Sequence, residues 1–258
     1  MPMNLTRSKQ EVVDRAIVLG VVSFRARFEG TRFAASGYDA ESAKNMAAGV
    51  TDWLRDAGRW AALAAPERVM LERPPLTWDK HDTLAIQDAG LDESTGTLLF
   101  CLGVLDVLPA YDRTFDSETL LRLLPFMSDS PFVTREGMPP RDEYASMLAS
   151  VQLLPQMMIE KEEQRAGAYW WRARSHSLVH SGTIARKELT TILRDGADHS
   201  RALGIGVDSE GEFLAFGAPF ASLSREDFAS CSRIAESRLR ALRWLLSEAS
   251  WLDVDMSS

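Results

Sequence analysis

The stretch from residue 224 to about 251 constrains this chain most. Phe228, Cys231, Ile234, Ala235, Leu239, Leu242, Leu245 and Leu246 recur at three- and four-residue steps, so they form one apolar stripe on a helix. Arg225, Arg233, Arg240 and Arg243 fall mostly off that stripe. Ser224 is placed to accept the backbone N–H of Asp227, and Leu223 with Phe228 makes a hydrophobic staple across the cap. A stripe this long is stable only when other helices cover it, because most helical stability in proteins comes from packing an apolar face. The fold must therefore be a packing of helices.

The rest of the chain supplies them. Ser8 and Glu11 form a capping box that opens a helix to about residue 28, with Val13, Ile17, Gly20, Val21, Phe24 and Phe28 inward. A second helix is expected over 39–57, and Pro66 suits the first turn of a short one. Thr77 is expected to cap a helix through Ile86. Residues 91–108, nearly all apolar from 98 to 105, read as a helix buried at the centre. Ser117 is expected to cap a short helix ending at Pro125. Pro125, Pro131, Gly137, Pro139 and Pro140 mark 125–140 as the candidate loop or internal boundary. Helix is expected again over 141–181, interrupted near Pro155, and over 184–203. The one strand signal follows: 204–207, a turn at 208–211, then 212–216, read as a hairpin. The expected fold is mainly α, a multi-helix single domain over residues 1–258 with one small β-hairpin near residues 204–217.

Charge and cysteine content limit the function. With 29 Lys and Arg against 37 Asp and Glu, the net charge is −8. That balance disfavours general nucleic-acid binding, which relies on clustered cations against phosphate, and is compatible with a basic protein partner. Cys101 and Cys231 both sit in apolar helical patterns and are expected as buried free thiols. The first residues are polar, with no apolar core of a signal peptide. No run reaches the length of a membrane span. A cytoplasmic location is the resulting expectation.

The clearest chemical constellation is on the helix after Pro155. Arg165, Tyr169, Arg172, His176 and His180 are spaced by four, three, four and four, so they share one face. From Gln164 to Lys187 there are five Arg or Lys and no acidic residue. Guanidinium groups in such an array can hold a carboxylate or phosphate. The competing reading pairs them within the chain, with the acidic run Asp88, Asp92, Glu93, Asp106, Asp112, Asp116 and Glu118. His176 and His180 have the spacing of two metal ligands on a helix, but Ser177 stands where a zincin glutamate belongs and the neighbouring cations oppose a metal. No metal and no cofactor is expected. His81-Asp82 reads as a surface pair, and the glycines at 204, 206 and 211 as turn glycines, not a dinucleotide fingerprint.

Several stretches in order resemble the domain-of-unknown-function family 4272. They are RSKQEVVDRA at 7–16, LLFCLGVLDVLPAY at 98–111, WRAR at 171–174, GAPF at 217–220, RLRALRWLL at 238–246 and WLDVD at 251–255. The resemblance implies a mainly helical domain and brings no activity with it. The functional expectation is a non-catalytic module that binds another protein, of the immunity, antitoxin-like or regulatory kind. The alternative is an enzyme or sensor that takes a small anionic ligand on the Arg165–His180 face. A third reading is a structural homodimer formed through Trp170 and Trp171.

Overall fold

Two helices with no wet face organise the interior. The computed structural model describes residues 5–29, 37–79, 81–82, 86, 89–127 and 138–257. Helix α1 (Lys9–Arg27) starts at the Ser8–Glu11 capping box and buries almost every residue from Val12 to Ala26. The sequence suggests one inner face; the helix is covered on nearly all sides. α2 (Ala40–Asp56) is capped by Asp39 and packs on α1. A short 3-10 turn (Trp60–Ala62) and α3 (Ala65–Glu72), with Pro66 in its first turn, follow.

α4 (Leu91–Cys101) is the other inner helix, buried from Glu93 to Cys101. It ends at Cys101 rather than near 108, because Gly103 takes a positive φ of 67° and turns the chain away. α5 (Ser117–Arg122) is capped by Asp116, not by Ser117, whose hydroxyl donates to Asp92 instead. Thr77 likewise does not cap: its hydroxyl donates to the Pro74 carbonyl, and Asp79 accepts the N–H groups of His81 and Asp82. Residues 83–85, 87 and 88 lie outside the described residues, and so does 128–137, most of the proposed boundary. Pro140 opens α6 (Pro140–Ser150).

The long helix expected over 141–181 is two helices. α7 (Gln156–His180) begins at Pro155, and 151–155 runs extended along the end of α4. There the N–H groups of Gln152 and Leu154 donate to the carbonyls of Leu102 and Cys101, at 3.1 and 2.8 Å. Gly196 likewise separates α8 (Arg186–Asp195) from α9 (Ala197–Ala202). The hairpin sits slightly later than its sequence signal. Its sheet is β1 (Leu214–Ala215) against β2 (Ala218–Pro219), and the 204–213 part contributes one bridge, Val207 to Phe213. A second 3-10 turn (Phe220–Ser222) leads to α10 (Arg225–Leu246), with Ser224 accepting the Asp227 N–H as expected.

The main helices stack in the spatial order α2, α1, α4, α10, α7, each in contact with the next. Buried side chains from Val12 to Val254 form one contiguous cluster. Among the described residues no helix is long and apolar enough to cross a membrane.

A buried ion pair joins α10 to α4. Arg238, fully buried, donates from Nε to Glu93 at 2.9 Å, and also to the carbonyls of Pro109 and Arg113 at 2.5 and 3.2 Å. Its guanidinium lies over the rings of Tyr111 and Phe115. Glu93 uses its other oxygen to accept the Phe115 N–H at 2.8 Å. The helices approach closely here. Gly90 has a φ of 59°, and a Cβ on it would lie 1.9 Å from the Ser237 hydroxyl. Removing one member of a buried pair strands the other charge. Arg238→Ala is expected to cost roughly 3–5 kcal/mol of unfolding free energy, read from urea denaturation against the unmodified chain.

Candidate functional site

The Arg165–His180 face of α7 looks onto the hairpin and the start of α10. Arg165 donates from Nε to the Leu203 carbonyl at 2.7 Å and from Nη1 to both oxygens of Glu162 at 3.0 Å. Tyr169 is buried, stacked on Tyr111 with ring centres 4.2 Å apart, with Phe213 edge-on. Burial pushes its phenol up to about 12.

Arg172 is the centre of the face and is 1% exposed. It grips Glu212 in bidentate fashion, Nε to Oε1 at 2.7 Å and Nη2 to Oε2 at 2.6 Å. Glu212 belongs to the hairpin segment, so this clasp fastens the hairpin to α7. Phe220 lies beneath the guanidinium, 5.1 Å from its carbon. Planar two-bond geometry of this kind is the strong form of the arginine–carboxylate bond.

The histidines sit at the rim. His176 is half-buried, with its ring 4.6 Å from Phe228 and 5.9 Å from the nearly parallel ring of His180, which is exposed. Burial, then Arg172 and His180, pull the His176 proton affinity below its ordinary value.

The structure thus brings the predicted residues into one line and shows what meets their charge. The acidic partners are Glu162 and Glu212, not the run from 88 to 118. In that run Glu93 holds Arg238, Asp92 takes the hydroxyls of Ser23 and Ser117, and Asp112 accepts the Phe216 N–H. Asp88 lies outside the described residues. Sequence reading missed Arg238–Glu93, because nothing in a helical arginine 145 positions from its carboxylate marks it as internal. Trp170 and Trp171 are both half-buried against the core.

The arginines of the face hold carboxylates of the chain itself. The thiols of Cys101 and Cys231 are each pushed up to about 12 by burial, far from the thiolate a nucleophile needs. Among the described residues no three of His, Cys, Asp and Glu gather to hold a metal ion. Asp82, beside His81, is taken by Arg73 at 2.6 Å.

A family described as "Domain of unknown function (DUF4272)" matches residues 3–189, well over half of the chain. The chain belongs to the DUF4272 family. The DUF4272 match takes in 7–16, 98–111 and 171–174, three of the stretches that carried the resemblance, and the whole Arg165–His180 face. It ends before the hairpin and α10, so the 217–220, 238–246 and 251–255 stretches lie beyond it. No curated protein and no solved structure matches the chain.

His176 gives the face a measurable signature. Arg172, His180 and Arg186 oppose its proton, and Glu212 favours it. The unfolded chain therefore binds this proton more readily than the folded one. Its contribution to stability is present above about pH 6.5 and is lost as the pH falls toward the lowered folded value. Urea midpoints measured across this range are expected to fall more steeply for the unmodified chain than for His176→Gln.

Proposed function

We propose that this protein is a non-catalytic module that binds another protein, and that the hairpin tip makes the contact. The observation that carries the reading is the backbone of Phe216. Pairing of Ala215 with Ala218 leaves a two-residue turn, Phe216-Gly217, with φ of 52° and 74°. Positive φ at both centres is the type I′ hairpin, whose first position ordinarily takes Asn, Asp or Gly. A bulky residue there costs about 1–2 kcal/mol.

No core contact repays that cost. Phe216 is 45% exposed and Leu214 36%, while Ala215 between them is buried. The turn is held from outside: the Phe216 N–H donates to Asp112 at 2.8 Å, across 104 positions. Local strain that the surrounding fold enforces gathers at functional sites, and exposed aromatic anchors dominate protein interfaces.

The surroundings favour a basic partner. Residues 202–224 contain no Lys or Arg; Glu212 is taken by Arg172 and Glu210 by Arg194, and Asp208 accepts the N–H groups of Glu210 and Glu212. Asp112 ties this segment to the acidic run before it, where Asp106 and Asp116 are exposed. Complementary charge of this kind speeds association and selects the partner. An immunity-type or antitoxin-like protein masking a basic effector is the concrete form. The anionic-ligand alternative asks Arg165 and Arg172 to hold an anion while both already hold carboxylates.

Phe216→Asn separates binding from folding. The variant is expected to gain about 1 kcal/mol of stability, because asparagine tolerates the left-handed region. It is also expected to lose at least about tenfold in affinity for a basic protein captured by the unmodified chain and then purified. Undiminished affinity in the variant, or a captured partner that is acidic, would remove the reading.

A further inference from the structure

The base and the tip of the hairpin are fixed by different contacts. At the base, Phe213, Ala215 and Phe220 are buried, and Arg172 holds Glu212. The Leu214 N–H donates to the Gly206 carbonyl at 2.8 Å, and the Phe220 N–H to the Phe213 carbonyl at 2.7 Å. These contacts stop short of Phe216 and Gly217. At the tip, the Phe216 N–H is met by Asp112.

Asp112 stands on a turn of its own. The Arg113 N–H donates to the Ala110 carbonyl at 3.0 Å, so Tyr111 and Asp112 are the two central residues. Their side chains part. Tyr111 goes inward, with its ring against the Arg238 guanidinium and stacked on Tyr169. Asp112 goes to the hairpin. Both shoulders of the turn are clamped by one residue of α10: Arg238 donates from Nη1 to the Pro109 carbonyl and from Nη2 to the Arg113 carbonyl. Phe115, just beyond, gives its N–H to Glu93. The turn is therefore built onto the buried pair that joins α10 to α4, and it carries Asp112 at a set place.

Asp112 serves the tip at a cost to the fold. Its Oδ1 is buried and accepts no hydrogen bond among the described residues. A buried acceptor left unmet is destabilising. Burial first, and then Asp112, push the Cys231 thiol up, which places the carboxylate against α10. The bond that Oδ2 does make holds a phenylalanine in left-handed backbone and leaves it largely outside the core. Both features lower stability. What they secure together is a fixed direction for the Phe216 ring.

We infer that Asp112 is a positioning residue: from a turn locked by Arg238 it sets the backbone of Phe216 and so aims the ring at the partner. The inference rests on the reading of the hairpin tip as the contact, and its test separates the two.

The first stage needs no partner and uses NMR on the isotope-labelled full chain. Asp112→Ala removes the acceptor and is expected to speed exchange of the Phe216 amide proton at least about tenfold. The Leu214 and Phe220 amides keep their acceptors and are expected to keep their rates. Asp112→Asn retains an acceptor oxygen and is expected to restore the Phe216 amide to within about threefold of the unmodified rate. The second stage uses the basic protein purified with the unmodified chain. Asp112→Ala is expected to weaken its binding at least about fivefold, and to have no further effect in a Phe216→Asn background, where no ring is left to aim. A Phe216 amide indifferent to Asp112→Ala, or not restored by Asp112→Asn, would overturn the inference and leave the binding reading standing. Additive effects of the two substitutions on affinity would also overturn it. If the amide responds as expected while Phe216→Asn keeps full affinity, the binding reading falls, and Asp112 is reduced to the residue that shapes the turn.

Discussion

The structure depends on guanidinium groups placed inside it. Arg238 reaches from α10 into α4, and its three nitrogens find Glu93 and two loop carbonyls. The same device recurs. Arg25 holds Glu29 beneath Trp78, Arg15 holds Glu67 beneath Trp251, and Arg172 holds Glu212 above Phe220. Each cation has a carboxylate and an aromatic face. Taking such a pair out of water offsets much of its attraction, so its net contribution to stability is small. What it supplies is a single allowed arrangement: a slipped helix would leave a charge buried alone. Apolar stripes bring these helices together, and the arginines fix their register.

This division explains how much was legible from the sequence. Apolar periodicity marked α1, α2, α4 and α10, and the Ser8–Glu11 and Ser224–Asp227 caps marked two of their starts. Those signals are local, and local signals can be read along the chain. The caps at Thr77 and Ser117 were misplaced because an aspartate stood within two residues and competed for the same N–H groups. The break at 151–155 was blurred because its hydrogen bonds go to α4, some fifty positions away. Arg238 looked like any exposed helical arginine for the same reason: its partners are distant.

The α7 face was found, and its meaning changed. Spacing alone aligned Arg165, Tyr169, Arg172 and His176, and they do share a surface. Their partners, Glu162 and Glu212, could not be chosen over the richer acidic run before residue 118, because counting charges says nothing about which segment folds back. The Phe216 turn was only half legible. Gly217 is a turn signal, but Phe216 stands where Asn or Asp would mark a tight hairpin, and the earlier glycine at 211 drew the reading to a turn at 208–211.

The extended link at 151–155 has one more consequence. Helix α4 ends with carbonyl groups that its own turns cannot satisfy, and two of the nearby carbonyls are met by Gln152 and Leu154. The innermost helix is thus sealed by a strap from the outer layer. Lifting the strap would free the Gln152 and Leu154 N–H groups and the Leu102 and Cys101 carbonyls together, so the two strap amides are expected to exchange through one shared opening.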